Sequence, residues 1–172
     1  MADPLIATLE FDGPSQRFFE ERRRAHFPPE RNMIPAHMTL FHALPGEWLE
    51  EVRAHLCAVA VRTAPLAFRC TEVMAFGSGG TAYRLEMPSA AALRKRLAAG
   101  FGFELTPQDR GGLRPHVTVQ NKVEPEVGDA LRSRLRAEFE PFEGRAEALR
   151  LWHYRGGPWE EEARLALLGP AP

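Results

Sequence analysis

The sequence predicts an α+β fold of two similar lobes related by a pseudo-twofold axis. Each lobe is a mixed, largely antiparallel sheet with helices outside, and the working cleft lies between lobes. Three observations predict it. Apolar residues recur at strand spacing and at helix spacing in alternating stretches along all 172 residues. The same order of elements runs twice, with His37 to His116 spanning 79 positions and Gly79 to Gly157 spanning 78. No low-complexity linker divides the halves, so residues 1–172 read as one bilobal domain with repeats near 14–87 and 89–168.

In the first half, Pro4 to Phe11 reads as a strand entering the fold. Residues 14–26 read as a helix with Phe18 and Phe19 inward and the Glu20–Arg24 run exposed. A Pro-rich loop from Phe27 to Ala36 leads to a strand from His37 to Leu44, which Pro45-Gly46 ends. Leu49, Val52, Leu56 and Val59 mark a helix over 47–61. Leu66, Phe68 and Cys70 alternate on one strand face, which Glu72 interrupts before Met74 and Phe76. Gly77 to Gly80 turns the chain into a returning strand, Thr81 to Met87.

In the second half, Ser89 is the expected N-cap of a helix with Leu93, Leu97 and Phe101 inward. A Gly-rich loop covers Thr106 to Leu113, followed by a strand from Pro115 to Val123. Val127, Leu131, Leu135 and Phe139 mark the inner face of a helix over 126–139. Phe142 to Tyr154 and Glu160 to Leu168 then form a hairpin around Gly156-Gly157-Pro158.

The net charge of -1 gives no global field for a polyanion, so phosphate recognition must be local. Of the 22 basic residues only Lys95 and Lys122 are lysines. The remaining arginine forks suit phosphate oxygens, although a GC-rich genome yields the same bias. Cys57 and Cys70 are too few for a disulfide framework and read as small core residues. No Cys-x-x-Cys or His-Glu-x-x-His spacing occurs, so no metal or cofactor is expected. The N-terminus makes a poor signal peptide, and the longest apolar run, Leu56 to Val61, is too short to span a bilayer. A cytoplasmic monomer without membrane or obligate protein partner is the expectation.

Two tetrapeptides carry the chemistry: His37-Met38-Thr39-Leu40 and His116-Val117-Thr118-Val119. Side chains alternate on a strand, so each His shares a face with the Thr two residues on, while the intervening apolar residues face the core. Under the pseudo-twofold the imidazoles and hydroxyls converge on one cleft. Phosphodiester cleavage needs a base for the nucleophile and an acid for the leaving oxygen, and two imidazoles can supply both near neutral pH. The threonine hydroxyls can donate to the non-bridging oxygens. A single His-x-Thr arises by chance in about one such chain in four. Two, on corresponding strands one repeat apart, are not explained that way.

These paired motifs resemble those of the 2H phosphoesterase superfamily, in particular its bacterial 2′–5′ RNA ligase-like branch. The wording around them, Ile34 to Phe41, Arg114 to Val119 and Leu151 to Trp159, is similar as well. The resemblance implies a bilobal fold around a central cleft and metal-free chemistry on 2′,3′-cyclic, 2′–5′ or related phosphodiesters of RNA ends and nucleotides. It makes His37 and His116 the acid/base pair, in an order left open, and Thr39 and Thr118 the phosphate ligands. Pro35 lies two residues before His37 but Pro115 directly before His116, so the two rings should differ in environment.

Further candidates are weaker. Arg110 and Arg114 flank Gly111-Gly112 and are placed to clamp a phosphate, with Arg31 at the matching position of the first repeat. Phe41 continues the His37–Thr39 face and is a candidate for stacking on a base. Tyr83 and Tyr154 occupy related strand positions and are candidates for base or ribose contact. His26, His42, His55 and His153 read as surface or rim residues, and Arg132, Arg134 and Arg136 as a salt-bridged helix surface or an RNA-tracking stripe. Three other readings remain. A 2′–5′ RNA ligase would use the same site in reverse. A non-catalytic RNA-binding module would not need the histidines. A metal site on His37 and His116 lacks carboxylate or cysteine partners.

Overall fold

Leu5–Phe11 forms β1, and Asp12 turns the chain directly into α1, Gly13–His26. The Asp12 carboxylate accepts from the Ser15 N–H at 2.9 Å and from the Arg145 N–H at 2.6 Å. One side chain thus caps the helix and ties it to a distant strand. This computed structural model describes residues 2–171. The order continues with β2 (Met38–Leu44), α2 (Leu49–Ala60), β3 (Leu66–Phe76) and β4 (Gly80–Glu86). The second half holds α3 (Pro88–Ala99), a single turn α4 (Pro107–Arg110), β5 (His116–Gln120), α5 (Pro125–Glu138), β6 (Phe142–Tyr154) and β7 (Trp159–Ala166). No described helix is long and apolar enough to cross a membrane.

The seven strands form one antiparallel sheet in the order β2-β1-β6-β3-β4-β5, with β7 on the stretch of β6 that β3 leaves free. This order reads the same from both ends when β1, β2 and β3 are exchanged for β4, β5 and β6. The central ladder has the same symmetry. Leu66 pairs with Ala146 and Cys70 with Phe142; residues 66 and 142, like 70 and 146, are 76 positions apart. A pseudo-twofold axis therefore passes through the Phe68–Gly144 pair. Glycine at 144 allows the close approach there, because a Cβ would lie 2.2 Å from Ser15 Oγ.

The repeat thus begins one strand earlier than expected. Its units are β1-α1-β2-α2-β3 and β4-α3-β5-α5-β6, and β7 is an addition. β4 belongs with the second unit, yet it pairs with β3 of the first, while β1 pairs with β6. Each arm of the sheet therefore draws strands from both units, in place of contiguous lobes at 14–87 and 89–168. Local periodicity marks a strand without naming its partner, which is why the frame was displaced.

The core lies between the sheet and the helices. Phe11, Phe19 and Phe68 meet near the axis, with ring centroids 5.2 Å and 5.3 Å from Phe11. Several local expectations change. α5 turns Gly128, Leu131 and Leu135 inward and leaves Val127 half exposed. A Cβ at Gly128 would lie 2.0 Å from the Gly79 carbonyl oxygen, so this helix packs directly on the β3–β4 turn. Met87 is the N-cap residue of α3 and Pro88 its first residue, which puts Ser89 inside the helix. The 106–113 loop contains α4, capped by the Thr106 hydroxyl accepting from the Asp109 N–H. Cys70 is buried, its thiol pushed up to about 12 by desolvation, whereas Cys57 is exposed.

Among the register shifts of the sheet, one in β2 and one in β3 reverse the side-chain alternation next to the paired motifs. In β2, Thr39 pairs with Thr8 but Phe41 with Ala7, so Leu40 is the extra residue. In β3, Cys70 pairs with Leu85 but Glu72 with Arg84, so Thr71 is extra. Beyond each bulge the residues at even spacing change faces.

Candidate active site

β2 and β5 are the edge strands of the sheet, and its curvature brings them face to face. Their outward backbone groups are satisfied by side chains from helices. Arg23 on α1 donates through Nη1 to the Thr118 carbonyl at 2.8 Å. Arg94 on α3 donates through Nε to the Leu40 carbonyl at 2.8 Å. The Asp109 carboxylate on α4 accepts from the His42 N–H at 2.8 Å and the Ala43 N–H at 2.9 Å. These latches close both edges to further strands. Between them lies a cavity of about 420 Å³ lined by His37, Thr39, His116 and Thr118. That is at the lower end of small-molecule sites. A larger open groove of about 1030 Å³ crosses the pseudo-twofold axis beside Phe68 and Gly144, and no histidine lines it.

The two imidazoles are held alike. His37 Nδ1 lies 2.8 Å from the Pro35 carbonyl oxygen and His116 Nδ1 lies 2.7 Å from that of Arg114. A carbonyl only accepts, so Nδ1 carries the proton in both rings and Nε2 is left for the cleft. α1 steadies the approach to His37, because Glu20 Oε1 accepts from the Ala36 N–H at 2.7 Å and Gln16 Nε2 donates to the Ala36 carbonyl at 2.8 Å. Each ring also has an aromatic neighbour: Trp159 at 5.1 Å from His37 and Phe76 at 4.9 Å from His116.

Their electrostatics differ. Burial, reinforced by Arg23, His116 and Arg150, lowers His37 to about 4 against the Pro35 hydrogen bond. His116 is also lowered, by burial first, with His42 adding and the Arg114 carbonyl opposing. Among the described residues no three His, Cys, Asp or Glu side chains group as a metal site.

Of the weaker candidates, Arg31 and Tyr154 line the cleft, both exposed at its rim. Arg110 and Arg114 stay exposed on their loop and line no part of the cleft; Arg114 contributes only its carbonyl. Two expectations are overturned. Phe41 is fully buried against Phe101, because the Leu40 bulge carries it to the core face. Tyr83 is 1 % exposed and packs on Phe18 and Phe139. It pairs with Val117, so it shares that residue's core face rather than the face of Thr118.

The same bulges deliver residues that sequence reasoning missed. His42 reaches the cleft where Phe41 was expected, and Phe76 comes to lie beside His116. Trp159 follows the hairpin turn onto His37. Arg23, read as part of an exposed charged run, is 3 % exposed and lines the cleft. Its spacing of four from the inward Phe19 was the available signal. Arg132 is likewise no surface residue: it is buried, bonds the Gly80 carbonyl at 2.7 Å and pairs with Asp129.

A family model described as the 2′-5′ RNA ligase superfamily matches residues 11–158. No curated protein matches the chain in sequence. Among solved structures, TT0787 of Thermus thermophilus is similar at 18% identity and a TM-score of 0.67, over 98% of this chain and 100% of that one. E. coli LigT complexed with 3′-AMP is similar at 15% identity and a TM-score of 0.57, over 97% of this chain and 99% of its own. LigT complexed with NADP+ gives 14% identity and a TM-score of 0.57, over 98% and 99%. At these identities the likeness is one of fold.

Proposed function

The chain belongs to the 2′-5′ RNA ligase superfamily, and on that basis we propose that it is a metal-independent phosphodiesterase acting on 2′,3′-cyclic or 2′–5′ phosphodiesters of RNA ends or small nucleotides. The observation that carries the proposal is the matched pair of imidazoles, each with Nδ1 bonded to a backbone carbonyl and Nε2 left for one shared cleft.

In hydrolysis of a 2′,3′-cyclic phosphate, the phosphate is held by the Thr39 and Thr118 hydroxyls. His37, the more depressed ring, is the base. Its Nε2 takes a proton from water as the new oxygen–phosphorus bond forms. His116 is the acid, its Nε2 giving a proton to the ribose oxygen as the ester bond breaks. The anionic phosphate raises both imidazoles on binding, and His116, lowered less by cationic neighbours, takes the proton first. With a 5′-hydroxyl in place of water, the same two transfers open the cyclic phosphate into a 2′–5′ diester, His37 taking the hydroxyl proton and His116 protonating the departing 3′-oxygen. Trp159 and Tyr154 offer ring faces at the rim for a base.

The test is a panel of 2′,3′-cyclic, 3′,5′-cyclic and 2′–5′-linked substrates in excess chelator with product analysis. Turnover of the 2′,3′-cyclic or 2′–5′ compounds is expected. Activity that vanishes in chelator and returns with a divalent ion, or no turnover of any diester, refutes the proposal.

A further inference from the structure

Among the described residues two arginines are buried. Arg132 has a partner, Asp129. Arg23 has none: among the described residues no carboxylate lies within 4.0 Å of its guanidinium. Its bonds run to neutral acceptors, from Nε to Asn32 Oδ1 at 3.1 Å and from Nη1 to the Thr118 carbonyl at 2.8 Å. Phe27 covers one face, its ring centroid 4.3 Å from Cζ. Glu20, one turn back on α1, is engaged elsewhere, its Oε1 accepting from the Ala36 N–H at 2.7 Å. Burial is costly enough to lower the Arg23 guanidinium to about 10, with Glu20 opposing from beyond ion-pair distance.

A buried cation with no ion pair is disfavoured unless an anion completes it. The side chain lines the cleft, and it bonds the backbone of the same threonine whose hydroxyl faces that cleft. The other arginine lining the cleft, Arg31, and Arg150, whose charge acts on His37 from outside the lining, are already solvated or neutralised. Arg150 pairs with Glu10 and Glu161. Arg31 is exposed. We infer that Arg23 is the anion receptor of the cleft, its guanidinium supplying the counter-charge to the phosphate group bound between Thr39 and Thr118. This rests on the phosphodiesterase reading for its substrate, and it assigns a substrate-binding residue outside the paired motifs.

Asn32→Asp provides the sharpest test. It puts a carboxylate where Oδ1 now meets Arg23 Nε, giving the cation an internal partner without removing any side chain from the packing. Binding of inorganic phosphate and of adenosine 3′-monophosphate is measured by calorimetry, alongside the thermal midpoint of the unliganded protein. The expected result is a midpoint equal to or above wild type with phosphate affinity lower by about tenfold or more. A merely structural arginine would show the stabilisation without the loss of affinity. Arg23→Met should lose phosphate binding as well, and Arg23→Lys should keep part of it. If Arg23→Met does not fold, Asn32→Asp decides alone. Wild-type affinity in Asn32→Asp, or no phosphate binding by wild type, overturns the inference. Phosphate binding that Asn32→Asp abolishes, in a protein that turns over no diester, leaves the anion receptor standing and refutes the hydrolase reading. Intact binding in the variant with diester turnover by wild type does the reverse.

Discussion

His37→Asn isolates the cost of holding an imidazole in the cleft. The Asn side-chain N–H stands in for Nδ1, so the bond to the Pro35 carbonyl is kept while the titrating group is removed. Folding lowers His37 from its ordinary 6.5 to about 4. Above 6.5 the ring is neutral in both states and the wild type keeps its full stability. As the pH falls below 6.5 the unfolded chain takes up the proton first, so stability is lost until the folded ring also protonates near 4. Integrated from about pH 7.5 to about pH 4.5, the loss due to His37 is about 2.5 kcal/mol. His116 and His26 are lowered too, but they are present in both proteins and cancel in the comparison. Urea unfolding of wild type and variant at both pH values, in buffer free of phosphate, gives this double difference. Wild type should lose about 2.5 kcal/mol more than His37→Asn on acidification. A double difference within about 0.5 kcal/mol of zero would show that His37 titrates as it does in water and would refute the reasoning.

Two further predictions concern catalysis and the cleft wall. On a 2′,3′-cyclic nucleotide, His37→Ala and His116→Ala should each lower turnover by roughly 10² or more, the double variant by less than the product, and the wild-type rate should follow a bell in pH. Thr39→Val and Thr118→Val should slow the reaction more gently and leave the bell in place; near-normal turnover in either histidine variant contradicts the mechanism. Asp109→Ala removes a buried acceptor from the His42 and Ala43 N–H groups and from His42 Nδ1. It should cost about 3 kcal/mol in urea unfolding, and a loss under about 1 kcal/mol would show the latch to be dispensable.

The paired His-x-Thr strands were legible because two facts about them are local. Alternation puts residues two apart on one face, and the apolar Met38, Leu40, Val117 and Val119 say which face is the core. Alternation alone misplaces Phe41. A single extra residue at Leu40 inverts the positions that follow it in β2 until a second register shift before Leu44, and nothing in its sequence announces a bulge. Analogy between repeats puts Tyr83 in the cleft, and only its pairing with Val117 settles its face. Arg23 shows a further limit: charge predicts exposure until a second element, here β5 with its Thr118 carbonyl, closes over it.

From its order of residues alone this chain determines where strands and helices form, that the pattern is doubled, and which two histidines and two threonines stand on apolar-backed strands, since each follows from side-chain size and polarity within a few residues. Only the tertiary structure decided that the two units exchange strand partners about the Phe68–Gly144 axis, that the edge strands β2 and β5 meet, and that His42, Phe76, Trp159 and Arg23 join the cleft. Those outcomes depend on ladder register and sheet curvature, which are set by contacts between residues far apart in the chain and so leave no periodic mark within it.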